Sequence, residues 1–145
     1  MNFAKVAPDA YRLMIELNTY VTEHVDHTLL ALVKLRASVV NGCAYCVDMH
    51  ALDAIKEGEN PQRLFAVSTW RESRFFTETE RLALELTDTV TRIGEHGVPD
   101  ELWERASAAF GEKELADLLA AIISINGLNR LAVTLDSATE RHLHA

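Results

Sequence analysis

The chain predicts an all-α fold of packed helical hairpins, and three observations carry that reading. Apolar residues recur three and four positions apart, no segment sustains the two-residue alternation of a half-buried strand, and capping signals recur at helix-length intervals. The 145 residues are 48% hydrophobic and 25% charged, with three prolines and six glycines, so residues 1–145 read as one domain with little room for linkers.

The first helix opens at Pro8-Asp9, because proline at the first turn gives up an N–H that has no helical partner anyway. It carries Tyr11, Met14, Ile15, Leu17 and Val21 and ends near 24–26. A second helix spans about 28–40 through Leu29, Leu30, Leu32, Val33 and Leu35, and stops at Asn41-Gly42. The third follows that break and closes at Gly58, where glycine accepts the left-handed conformation of a helix end.

Asn60-Pro61 opens another helix by cap and first-turn proline, running to about Trp70. Thr77-Glu78-Thr79-Glu80 is a capping box, so a helix spans about 78–92, before Gly94 and Gly97. Pro99-Asp100 begins the next, which Gly111 ends. The last long helix covers about 112–128, with Gly127 as a weak point and a continuation to 135 left open. Trp70, Phe75, Phe76, Trp103 and Phe110 read as core or interface anchors, and Arg71-Glu72-Ser73-Arg74 as a solvated connection. Arg141, His142 and His144 fall in an expected mobile tail.

Charge and hydropathy exclude several functions. A net charge of −8 opposes binding to a phosphate backbone, so no nucleic-acid partner is expected. Residues 115–135 have the length and apolarity of a membrane span, but Asp117, Asn126, Asn129 and Arg130 would each be costly in a bilayer. A helix buried in the protein or between subunits is the better reading. Residues 1–9 lack the apolar core of a signal peptide, so a reducing cytoplasm is the expected location.

The chemistry concentrates in Asn41-Gly42-Cys43-Ala44-Tyr45-Cys46-Val47-Asp48-Met49-His50. It places the only two cysteines three apart and a histidine four beyond the second. On a helix these three side chains share a face. Only a thiolate attacks, and a cysteine with a pKa of about 8.5 is mostly protonated at neutral pH. A partner thiol, a helix N-terminus capped by Asn41, and an imidazole one turn away all favour the thiolate. Cys46 is the candidate nucleophile, Cys43 its resolving partner and His50 its base. Two cysteines and His50 fall one short of a structural zinc site, whose fourth ligand would have to be His24 or His27. A purely structural disulfide gains little from so short a loop, and two inert buried thiols are the other alternative. The chemistry requires no metal, flavin or haem, and no Rossmann glycine fingerprint or P-loop is present.

Leu32-Val33-Lys34-Leu35-Arg36-Ala37-Ser38 leading into the CxxCxxxH element resembles the core of the alkylhydroperoxidase AhpD-like, carboxymuconolactone decarboxylase superfamily. Trp70-Arg71-Glu72-Ser73 with Thr77-Glu78, and Ile125-Asn126-Gly127-Leu128-Asn129-Arg130-Leu131-Ala132, are similar to it as well, so the resemblance covers about 29–133. It implies an AhpD-like helical domain that assembles into homo-trimers or homo-hexamers and reduces organic hydroperoxides. Carried onto this chain, Cys46 is the peroxidatic cysteine deprotonated by His50, and Cys43 resolves its sulfenic acid as a disulfide. An external dithiol, thioredoxin-like or lipoyl, then reduces the pair. Decarboxylase members lack the cysteine pair. The peroxidases carry a relay glutamate twelve residues before the first cysteine, where this chain has Ala31, and Tyr45 stands where some members have histidine. His27, one turn before Ala31, is a possible replacement relay.

Three functions follow: a thiol peroxidase with an antioxidant role, a thiol–disulfide oxidoreductase without efficient peroxide turnover, and a redox-sensing helical oligomer that is not an enzyme.

Overall fold

The computed structural model describes residues 1–137; Arg141, His142 and His144 lie outside the described residues. Among those described, the chain forms seven α-helices, one 3-10 turn and no strand. The helices are α1 (Phe3–Val6), α2 (Pro8–His24), α3 (His27–Val40), α4 (Ala44–Lys56), α5 (Pro61–Ala66), α6 (Glu78–Thr91) and α7 (Asp100–Thr134).

Local chemistry sets most of these boundaries. The Asp26 carboxylate accepts from the Leu29 amide at 3.0 Å, so α3 begins at His27, a residue before the expected start. Thr77 and Glu80 form the expected capping box at the head of α6. Gly111, at φ 71° and ψ 171°, interrupts α7 as expected, although the two segments follow each other closely. Three differences stand out. The short α1 precedes the expected first helix, its amides capped by the Asn2 side chain. The helix after Pro61 gives way to a 3-10 turn over Val67–Thr69 before reaching Trp70. Gly127 does not interrupt α7, because packing of the apolar face outweighs its weak propensity.

Helix α3 is the centre of the fold and is covered on several sides, which is why its apolar residues run nearly without interruption. Leu29 and Val33 meet Ala83 and Leu86 of α6 and Leu102, Leu118 and Ile122 of α7 in one cluster. Leu32 and Leu35 meet Ala54 of α4, Leu64, Val67, Trp70 and Leu84 in a second. Leu30 joins Val21, Val25 and Ala121 in a third, which fastens α2. The apolar stretch of α7 has the length and composition of a membrane span, yet it buries Leu115, Leu118, Ala121, Ile122 and Ile125 inside the fold.

One ion pair lies in this interior. Arg36 of α3 donates to both carboxylate oxygens of Asp88, at 2.5 and 3.1 Å, and its other nitrogen donates to the carbonyls of Val67 and Ser68. The Trp70 indole N–H donates to the same carboxylate at 3.1 Å. With every group satisfied, the network fixes α3 against α6 and the 3-10 turn. Arg71 is exposed, as expected of a solvated connection, and its guanidinium lies over the Trp70 ring at 4.4 Å. Trp70, Phe76 and Phe110 are buried, whereas Phe75 and Trp103 are exposed.

Candidate redox site at the joint between α3 and α4

Residues 41–43 alone join α3 to α4. After the C-cap Asn41, Gly42 turns left-handed at φ 65°. The Gly42 amide bonds the Val39 carbonyl at 3.1 Å and the Cys43 amide bonds the Ser38 carbonyl at 3.0 Å, the paired bonds of a Schellman motif. Cys43 then serves as N-cap of α4, its sulfur accepting from the Cys46 amide at 3.3 Å. One residue thus ends one helix and begins the next. The sequence reading gave the N-cap to Asn41; the structure places Asn41 two residues too early for that, at the C-cap of α3.

Asn41 has a different task. Its side-chain amide donates to Asn126 Oδ1 at 2.9 Å and to Asn129 Oδ1 at 3.0 Å, both on α7. Asn129 is fully buried and donates onward to the Ser38 hydroxyl at 3.0 Å. Ser38 hands its proton to the Lys34 carbonyl at 2.7 Å while its own carbonyl holds the Cys43 amide. This partly buried hydrogen-bond chain clamps the joint to α7. The sequence showed these asparagines only as polar interruptions of an apolar helix, which was also the signal that could have exposed the clamp.

Cys43 and Cys46 are joined as a disulfide, with Cα atoms 5.3 Å apart and residue exposures of 2% and 3%. Cys46 stands in the first turn of α4, where unpaired amides and the helix dipole favour negative charge on either sulfur. Among the described residues no group of three His, Cys, Asp or Glu side chains is placed to bind one. The His24 ring donates from Nδ1 to the Tyr20 carbonyl at 2.7 Å.

His50 lies one turn beyond Cys46, about 6 Å along the axis at 1.5 Å per residue. Among the described residues no hydrogen bond links it to either sulfur in this disulfide state. It opens instead into a cavity of about 300 Å³ that His27, Ala31 and Lys34 of α3 line together with Asp53 and Glu57. Burial, then the nearby Lys34 ammonium, push the imidazole down to about 4, against a smaller pull from Asp53. It is therefore neutral at pH 7 in the disulfide form, and binds a proton less readily than a solvated histidine. Burial likewise lowers the Lys34 pKa, while Glu57 and Asp53 hold it up. His27 does share this cavity with Ala31 and His50, and the helix break that could have separated them falls before His27. Lys34 was missed as a site residue, although the stripe 27, 31, 34 on one helix face was legible.

The carboxymuconolactone decarboxylase family profile matches residues 8–89, which include the joint, both cysteines and His50. The chain belongs to the carboxymuconolactone decarboxylase family. An uncharacterised relative, YdfG of Bacillus subtilis, is 35% identical over 136 residues, covering 93% of this chain and 92% of its own. YnjA of Escherichia coli, also uncharacterised, is 31% identical over 116 residues, 80% of this chain and 61% of its own. Among solved structures, ATU0492 of Agrobacterium tumefaciens is a protein of unknown function proposed as an antioxidant defence protein, AhpD. It superposes with a TM-score of 0.91 at 40% identity, over 100% of this chain and 98% of that one. The debrominase Bmp8 shares the fold at a TM-score of 0.73 and 20% identity, over 95% and 73%. This family member therefore has an AhpD-like all-helical architecture.

Proposed function

We propose that this protein is a thiol peroxidase that reduces organic hydroperoxides in a reducing cytoplasm, with an antioxidant role. The observation that carries the reading is the Cys43–Cys46 disulfide across the first turn of α4, with a half-buried neutral imidazole one turn further on. The similarity to ATU0492 supports it.

In the reduced protein His50 takes the Cys46 proton, and a thiolate so close to it favours the imidazolium that results. The thiolate attacks the distal peroxide oxygen; an S–O bond forms, the O–O bond breaks and an alcohol leaves. Cys43 then attacks the Cys46 sulfenic acid, expelling water and closing the disulfide. Cys43 is prepared for this step, since the Cys46 amide that bonds its sulfur also stabilises its thiolate. An external dithiol, thioredoxin-like or lipoyl, reopens the bridge in two exchange steps. His27 stands in for the relay glutamate across the cavity beside Ala31. The working unit is a homo-trimer or homo-hexamer, for which exposed Val6, Leu13, Ile123 and Val133 offer apolar surface.

The cap on Cys43 and the alanine at position 31 favour a second reading, disulfide exchange without peroxide turnover. Thiol loss from the pre-reduced protein under cumene hydroperoxide separates the two. Peroxidase chemistry requires fast loss that disappears in Cys46→Ser and slows in His50→Ala; rates near those of a free thiol in all three proteins refute it.

A further inference from the structure

The mechanism above releases an alcohol without naming the group that protonates it. When the O–O bond breaks, the departing oxygen leaves as alkoxide unless it is protonated in the same step, and alkoxide is a poor leaving group. Ala31 offers no proton there.

We propose that the Lys34 ammonium is the general acid that protonates the departing alkoxide when a hydroperoxide is reduced at Cys46. The inference rests on the peroxidase reading. Lys34 lies on α3 one turn beyond Ala31, and it lines the same cavity as His50, which is itself one turn beyond Cys46. The side chain is half-buried, so its ammonium stands in a medium less polar than water. The titratable groups that share the cavity with it are His27 on its own helix and His50, Asp53 and Glu57 on α4; α2 contributes only the neutral Asn18 and Thr22. Among the described residues Lys34 makes no direct ion pair with either carboxylate. The carboxylates keep it charged against burial, yet its protons are not committed to them.

The protons balance without a further reactant. His50 removes the Cys46 proton, the thiolate attacks the distal oxygen, and the O–O bond breaks as Lys34 gives a proton to the alkoxide. The neutral amine is then recharged by the His50 imidazolium. The net change is Cys46 thiol and hydroperoxide to Cys46 sulfenic acid and alcohol, with His50 and Lys34 restored.

Leaving-group chemistry distinguishes an acid from a merely structural lysine. Reduced wild type, Lys34→Met and Lys34→Arg are mixed with tert-butyl hydroperoxide, whose alkoxide needs a proton, and with peracetic acid, whose acetate does not. Formation of the disulfide is followed. General acid catalysis typically contributes 10²- to 10⁴-fold, so both variants should lose about 10²-fold or more with tert-butyl hydroperoxide while largely keeping their rate with peracetic acid. Arginine preserves charge and stem but does not release its proton in this pH range, so it should not rescue. Equal losses with both oxidants, or restoration by arginine, would overturn the assignment while leaving the peroxidase reading intact. A wild type no faster than a free thiol with either oxidant would instead remove the peroxidase reading and this role with it.

Discussion

Acid should destabilise this fold through His50 in a defined window. The imidazole is half-buried in its cavity beside α3, and that burial, followed by the nearby Lys34 ammonium, lowers its pKa to about 4 in the folded chain against an ordinary 6.5. Between these values the unfolded chain binds a proton that the folded chain refuses. The stability tied to neutral His50 is therefore fully present above pH 6.5 and is lost as pH falls toward 4. At roughly 1.36 kcal/mol per tenfold change in affinity, the loss at the lower limit is about 3 kcal/mol, a large share of a typical 5–15 kcal/mol. Urea unfolding of the disulfide form, in wild type and His50→Gln across pH 7.5 to 4, isolates this contribution from the carboxylates that titrate nearby. The stability difference between the two proteins should shrink or reverse by about 3 kcal/mol as the buffer is acidified. Lys34→Met should remove part of that slope by withdrawing the neighbouring charge. A difference independent of pH would show that His50 titrates as a solvated histidine, and the description of its cavity would fall.

Three further outcomes follow from the interior. Asp88→Ala strands the Arg36 guanidinium and the Trp70 indole, and should cost about 3–5 kcal/mol in chemical denaturation. Asn129→Ala leaves Ser38 and Asn41 short of partners, and should cost about 1–3 kcal/mol while altering the reduction potential of the cysteine pair, read by equilibration with glutathione. Gly127→Ala should raise the melting temperature, gaining about 0.5–1 kcal/mol, because the added methyl meets only the Met14 Cε at an ordinary 3.6 Å.

The helices were legible where their ends are written in local chemistry. Pro8, Asn60-Pro61, the Thr77 box and the Gly58 closure all specify a boundary within a few residues of themselves. What local chemistry could not supply was the partner of a side chain. Asn41 is a good cap by type, and only the position of α7 shows that its amide is engaged with Asn126 and Asn129 instead. Cys43 was legible as half of a redox pair but not as a cap, since sulfur is an uncommon capping acceptor and the Schellman turn before it sets the register. His50 was found from its spacing alone. Its lowered pKa comes first from burial and then from Lys34 across the cavity, relations between helices that spacing along one does not reveal. Arg71 is exposed as expected of a solvated connection, and what spacing did not show is its indole platform, oriented by Asp88.

The double duty of Cys43 bears on the reorganisation energy of the redox cycle. Its sulfur accepts the Cys46 amide as a disulfide, and a thiolate at the same place is a stronger acceptor of the same bond. Opening the bridge thus exchanges one capped helix for another, with the Ser38 and Val39 carbonyls still holding the backbone on the other side. In the proposed cycle, electrons and protons would come and go at the sulfurs without the joint having to refold, which would leave the site set for the next oxidant.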